Sequence, residues 1–374
     1  MSQVAERMPA GSGAAGYLSG VRDVVVLELK QRLRARGWYI MLAIWFVLTG
    51  LVTWLTWASW AASQLSQREY GYVANSAGPG SMIFEVVLAF VLLFALLVAP
   101  ALSANAVNGD RAGGTLAILQ VTLLEPGQIM WGKFLAAWLA ALAFLVASAP
   151  FLIWAVILGG LAPEYVVVSL LMLAIEVGVV CALGTGISAL AGRPLFSIVV
   201  TYLCVAGLAV GTLIAFGLGL GLSQGTVQAN QPIYGEYVPL TDPPAGPDYT
   251  CEGPVTTQPA IRTERVAWLL AMNPYVVVAD AIPYKDRSAA GANRYGPVGA
   301  IESISQGARY ALAGPDQTTA CANGEAKPQY LTQTTPLWPL GLGLQLVVAG
   351  LLMWFGWRSL RTPARKLARG TRIA

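Results

Sequence analysis

The chain contains no histidine, and few of its side chains carry charge. The first absence removes imidazole general bases, imidazole partners for a nucleophile and imidazole metal ligands. The second is as restrictive. Only 11% of the 374 residues are charged and 56% are hydrophobic, against about a quarter charged in an ordinary soluble domain. So little charge cannot clothe a water-soluble globule of this length, and the mean hydropathy of +0.60 points to a polytopic membrane protein. Cysteine is scarce too. Cys181 and Cys204 lie inside apolar runs, where a thiol packs as a small inert hydrophobe, and the sequence has no CxxC pair or metal-ligand cluster. Cys251 and Cys321 lie 70 residues apart in one polar segment. If that segment faces an oxidising compartment, the two form a disulfide. The first 20 residues carry no apolar core, so no cleavable signal peptide is expected.

What the sequence does have is long apolar runs. A helix needs about 20 consecutive apolar residues to cross a bilayer. Six segments qualify: Trp38–Ala61, Ser81–Ser103, Phe134–Gly160, Pro163–Leu190, Leu195–Leu222 and Leu337–Trp357. The expected fold is an all-α polytopic membrane protein with six transmembrane helices. Basic residues beside the spans orient it. Lys30, Arg32, Arg34 and Arg36 precede the first span, and six Lys or Arg with no Asp or Glu follow the last. An even number of spans puts both flanks on one side, so both termini are expected in the cytoplasm. Residues 1–37 are then a cytoplasmic N-terminus, and 38–222 hold five spans with a cytoplasmic loop at 104–133. Residues 223–336 form an extracytoplasmic cap, 337–357 the sixth span, and 358–374 a basic cytoplasmic tail. Arg outnumbers Lys 18 to 5, which fits a GC-rich bacterial genome and a bacterial plasma membrane.

Several stretches qualify this frame. Val21, Val25, Leu29 and Leu33 recur at i+4 spacing, with Glu28 and Arg32 paired on another face. That pattern describes an amphipathic helix lying along the cytoplasmic surface, or else a plain extension of the first span. In the cap, Val266–Pro283 is nearly long enough to span, but Asn273, Pro274 and Asp280 interrupt it. Two short helices at or dipping into the outer membrane surface are expected there. The cap as a whole holds 13 of the 22 prolines. Outside Val266–Pro283 it has little apolar periodicity, which reads as loop-rich, with the stretch from Gly235 to Thr250 irregular. Pro100 and Pro150 fall inside spans, where proline kinks a helix. Trp54, Trp57 and Trp60 read as interfacial anchors. The glycines of the fifth span, from Gly207 to Gly221, allow close helix contact or simple packing.

Candidate chemistry is sparse. Gly127–Lys133 reads G-x-x-x-x-G-K, but Phe134 stands where a P-loop needs Ser or Thr for Mg²⁺, and Ile129, Met130 and Trp131 make the turn bulky. It reads as a chance match at the start of a span. Glu176 lies near the middle of the fourth span and Glu85 near the outer end of the second. An ionisable group in the membrane is costly and marks either a substrate path or an interhelical hydrogen bond.

The loop at 104–133 carries a resemblance. Asp110-Arg111, then Gly114-Thr115-Leu116, Pro126 and Gly132-Lys133 resemble the cytoplasmic loop of ABC-2 type ABC-transporter permeases. The basic helix before the first span, the six spans and Asn273-Pro274 agree with it. The cap is larger than that of a minimal member, and the usual acidic run before Gly-Thr is here Asn108-Gly109-Asp110-Arg111-Ala112. The resemblance implies a transmembrane permease subunit that pairs with a second one, the same chain or a related one. The pair would bind two cytosolic ATP-binding cassette subunits and export a substrate through the membrane between them. Asp110, Arg111, Gly114, Thr115, Leu116, Leu119 and Glu125 would form the ATPase-coupling segment, with the 20–37 helix beside it. This chain would need no cofactor of its own and would not be an enzyme, since ATP and Mg²⁺ would sit on the partner. No nucleic-acid partner is expected, and lipid surrounds the spans. The rival readings are a secondary transporter or channel using Glu176, and an assembly or scaffold protein binding through its cap. An intramembrane enzyme is disfavoured by the absence of histidine and of paired carboxylates.

Overall fold

The computed structural model describes residues 14–69, 78–114, 125–234, 249–284, 299–327, 330–331 and 335–361. A helix α1 (Ala14–Arg34) leads into α2 (Arg36–Glu69), followed by α3 (Gly80–Ser103) and a single helical turn, α4 (Asn108–Ala112). Next come α5 (Pro126–Ile157), α6 (Pro163–Leu190), α7 (Pro194–Ala206) and α8 (Thr212–Leu222), the last two joined by a π-helical turn at Gly207–Gly211. The final long helix is α13 (Trp338–Leu360). Six helices, counting α7 and α8 as one, are long and apolar enough to cross a membrane. The chain is therefore a multi-pass membrane protein, mostly helical.

Two helices outrun their expected spans. α5 begins at Pro126 instead of near Phe134, because Glu125 and Gln128 close a reciprocal capping box and proline occupies the first turn, where its missing N–H costs nothing. α2 continues past Ala61 to Glu69. Pro100 and Pro150 stay inside continuous helices.

Burial separates centre from periphery. In the most apolar window of α6, 61% of residues are buried, against 22% in α2 and 11% across α7–α8. α6 is thus the axis of the bundle, with α3, α5 and α13 packed around it. Close approach to α13 depends on Gly186 and Gly356. A Cβ on Gly186 would sit 2.8 Å from the Leu352 backbone, and one on Gly356 would sit 2.9 Å from Ala189 Cβ. The exposed fifth span explains one difference from the sequence reading. Cys181 is buried as expected, whereas Cys204 is exposed.

The cap is more regular than its prolines suggest. Strands β1 (Gln224–Tyr234) and β2 (Tyr249–Ile261) pair antiparallel from Gln224↔Ile261 to Tyr234↔Tyr249, with an irregularity between Ala229 and Gln231. Most of β2 is exposed and β1 buries Val227 and Ala229 on one face, an alternation too short to mark the ribbon in the sequence. Of the stretch read as irregular, Tyr249 and Thr250 open β2, and the remainder lies outside the described residues. The short helices α9 (Trp268–Ala271) and α10 (Pro274–Ala281) replace a seventh span, as expected. They are followed by α11 (Ala300–Ala313) and α12 (Pro315–Thr318). α10 is buried among the spans, packed on α6 and α13. The Asn273 side chain accepts from Tyr275 N, and its Nδ2 donates to Ala209 O at 2.8 Å and Thr212 Oγ1 at 2.9 Å. It thereby ties the cap to the π-helical turn of the fifth span.

Cys251 and Cys321 form a disulfide that fastens β2 to the turn after α12. Beside it, Asn230 N donates to Cys321 O. The bridge closes a loop of 70 residues, and constraining the unfolded chain to that extent stabilises by about 4 kcal/mol in the chain-entropy account. Mass spectrometry without reductant is expected to recover Cys251 and Cys321 in one linked peptide pair. Cys321→Ser is expected to lower the thermal midpoint of the purified protein. Two free thiols in the native protein would contradict the pairing.

Candidate functional site

The chemistry-bearing residues of the sequence converge where α1 docks on the start of α5. On α1, Tyr17, Val21, Val24 and Glu28 recur at helical spacing and form one stripe. Val21 and Val24 are buried, while Leu33, expected on this face, is 51% exposed. The opposing strip of α5 is the G-x-x-x-x-G-K segment itself. A Cβ on Gly127 would lie 2.6 Å from the Tyr17 hydroxyl, and one on Gly132 would lie 2.6 Å from Val24 Cβ. Gln128 Nε2 donates to Tyr17 O at 3.3 Å. The two glycines therefore serve helix docking, which their spacing alone does not reveal.

Lys133 closes the strip. Its Nζ lies 2.5 Å from Glu28 Oε1 on α1 and 2.5 Å from Asp110 Oδ2 on α4. The Lys133 side chain is 1% exposed, against 17% for Glu28 and 29% for Asp110. An ammonium so deeply buried is tolerable only with charged partners that replace its water. Glu28 therefore bonds across to α5, where the sequence pattern had paired it with Arg32. The Arg32 guanidinium instead donates to Leu102 O at 2.9 Å, at the last turn of α3. Burial lowers the Arg32 pKa and the charge of Glu28 pulls it back up, so Arg32 retains a through-space attraction to the cluster.

The segment between α3 and α4 is fixed as firmly. Ser188 Oγ accepts from Val107 N and Asn108 N at 3.1 Å each, and Ser197 Oγ donates to Ala104 O at 2.6 Å. Arg111 Nη1 donates to Ala191 O at 3.0 Å, and Nη2 to Ala189 O at 3.4 Å. A cation is thus placed at the C-terminus of α6, where the helix dipole favours it. Asp110 and Arg111 are turned into the bundle. Gly114 is exposed at φ +73°, a left-handed conformation that suits glycine. Glu125, where the chain returns, caps α5. Thr115, Leu116 and Leu119 lie outside the described residues.

Glu85 and Glu176 sit elsewhere. Glu85, 5% exposed, accepts at Oε2 from Ile301 N at 2.8 Å and Glu302 N at 3.3 Å. It caps α11 from the start of α3. Glu176 is 1% exposed, and the Gln345 side chain of α13 is the polar group that approaches its carboxyl, short of ideal hydrogen-bond geometry. Gln345 of α13, also 1% exposed, donates its Nε2 to Met272 O. A cavity of about 790 Å³ runs between α5 and α13 over α6. Ile175, Gly178 and Val179 line it, and Glu176 does not. Among the described residues, no group of three or more Cys, Asp or Glu side chains is placed to hold a metal.

Fold and site together define a six-span membrane protein with a docked N-terminal helix, a buried ionic junction at one end and a disulfide-closed cap at the other. Scans against protein-family models and curated proteins find no match to the chain.

The junction yields a quantitative expectation. Removing one member of a buried ion pair costs about 3 kcal/mol or more, because its partners keep their charge without compensation. Lys133→Met is therefore expected to destabilise the protein by about that amount, and adding Glu28→Gln should recover part of the loss. Thermal or denaturant midpoints of the two single variants and the double variant measure the coupling. Strict additivity would contradict the junction.

Proposed function

We propose that the chain is the transmembrane subunit of an ABC-2 type ABC transporter in a bacterial plasma membrane. It would form the substrate path with a second membrane subunit and take its energy from separate cytosolic ATP-binding subunits. ATP and Mg²⁺ would bind those subunits, and the direction of transport would be export. In this reading the α1 end faces the cytoplasm, in keeping with its basic flanks, and the disulfide-closed cap faces the oxidising side.

One observation carries the reading. Lys133 joins α1, α4 and α5 at a single point, and the chain leaves this point at Gly114 and returns to it at Glu125. A load applied to residues 115–124 would pass into α4 through Gly114 and into α5 through Glu125, with α1 braced against both. A flexible joint would dissipate such a load. Asp110 and Arg111 then act as anchors of the coupling segment, and contact with the ATPase falls to Thr115, Leu116 and Leu119.

The test is co-expression and assembly with ATP-binding cassette subunits of the same genome. Leu116→Asp and Leu119→Asp are expected to abolish co-purification or to cut ATPase activity of the complex by about tenfold, the effect of roughly 1.4 kcal/mol lost at a contact. Wild-type assembly and activity in both variants would overturn the coupling role. The rival reading, an autonomous carrier, rests on the buried Glu176. Glu176→Gln is expected to leave ATP-driven transport intact, and abolished transport with normal ATPase activity would favour the rival.

A further inference from the structure

The cavity between α5 and α13 is unlike a packing defect. α6 supplies a floor of small residues, including Gly178 and Ala182, so the trench is deep. One wall is aromatic and rigid. Trp138 Nε1 donates to Ala174 O at 2.9 Å, Phe134 stacks on Trp138 at 6.1 Å, and Trp131 meets Phe134 edge-on at 5.7 Å. The facing wall is the stripe of α13 from Leu346 to Arg361. The fifteen residue-to-residue rises from Leu346 to Arg361 give the trench a length of about 22 Å, more than the roughly 15 Å of one leaflet of the hydrocarbon core. Trp131 and Trp354 are about half exposed at its rims, so the trench opens sideways, towards what surrounds the bundle.

Only one end is polar. There the Arg361 guanidinium lies 3.6 Å from the centre of the Trp357 ring, and one turn earlier Arg358 lies 5.7 Å from Trp354. Neither arginine has a carboxylate partner among the described residues. The Tyr17 hydroxyl lies at the same end. So does Glu125, whose carboxylate is taken up by the capping box of α5. An apolar slot of leaflet length with the Arg361 guanidinium at its end, Arg358 one turn away and no carboxylate partner for either among the described residues, is complementary to an acyl chain with a negative headgroup.

We infer that the trench is a binding site for an anionic phospholipid. One acyl chain lies between Trp138 and α13 on the floor of Gly178 and Ala182, and the phosphate is held by Arg361 with Arg358 beside it. The site adjoins Tyr17 and Gly127, so a bound lipid extends the surface against which α1 rests. It does not depend on the proposed transport role.

Two variants separate slot from headgroup. Gly350 lines the trench and a Cβ there meets nothing within 4 Å, so Gly350→Trp places an indole in the trench. Arg361→Glu reverses the headgroup charge on an exposed side chain. Purified full-length protein, delipidated in detergent, is offered phosphatidylglycerol or phosphatidylcholine with matched acyl chains, and retained lipid per chain is measured by mass spectrometry. Wild type is expected to retain phosphatidylglycerol over phosphatidylcholine by about fivefold or more, the discrimination one to two arginines give near a headgroup. Arg361→Glu is expected to lose the preference, and Gly350→Trp to lose retention, with thermal midpoints confirming that both fold. Equal retention of the two lipids by wild type would overturn the inference, as would an unchanged preference in both variants. Loss of self-association in Gly350→Trp without loss of lipid would assign the trench to a second copy and overturn it equally.

Discussion

A single buried ammonium organises one end of this protein. Lys133 Nζ is out of reach of water and bonded to carboxylates from two other elements, Glu28 and Asp110. A lysine at that depth has few options: it is paired, or it is neutral, or the helix moves to expose it. Pairing it requires α1 to lie along α5 and α4 to fold back beneath them. Tyr17, Val24, Gly127 and Gly132 supply the close surfaces that let this happen. The same requirement makes Arg32 and Arg111 internal, each satisfied by carbonyl oxygens at the end of a helix, Leu102 on α3 and Ala189 and Ala191 on α6. The basic end of the molecule is held together by its charges as much as by its apolar packing.

The opposite end uses carboxylates in a related way. Glu85 caps α11, and Asp280 Oδ2 accepts from Leu337 N at 2.6 Å and Trp338 N at 3.1 Å, capping α13. Helix N-termini leave unpaired N–H groups, and an anion there is favoured twice, by hydrogen bonds and by the dipole. Acidic groups in apolar runs are therefore absorbed by structure in two of three cases. Glu176 is the one that lacks such an acceptor role.

Much of the architecture was legible in the residues. Six apolar runs became six long helices, and Asn273-Pro274 broke the seventh candidate as proline rules require. Cys251 and Cys321 paired. The ribbon of β1 and β2 was not legible, since most of β2 is exposed and the buried face of β1 is marked only by Val227 and Ala229, too short a period-two signal. The start of α5 was misplaced because Lys133, charged in the sequence, marks a boundary only if its charge is not neutralised. Gly127 to Lys133 drew attention as a nucleotide motif, while its use is to admit α1. Distinguishing those roles required knowing which helix comes to rest there, and no local pattern encodes a partner 105 residues away. For the same reason the inward contacts of Asp110 and Arg111 with Lys133, Ala189 and Ala191 had no mark in the sequence. Thr115, Leu116 and Leu119 lie outside the described residues, and the coupling role proposed for them rests on the resemblance alone.

The central claim is that α1 belongs to the bundle, held by Lys133, and does not float on the membrane surface. Hydrogen–deuterium exchange of the purified full-length protein tests it most directly. The account predicts that amides from Gly20 to Glu28 are protected to a degree comparable with those of α5, and that Lys133→Met selectively releases them while α5 and α6 stay protected. Rapid exchange throughout α1 in the wild-type protein, or protection indifferent to Lys133→Met, would contradict it.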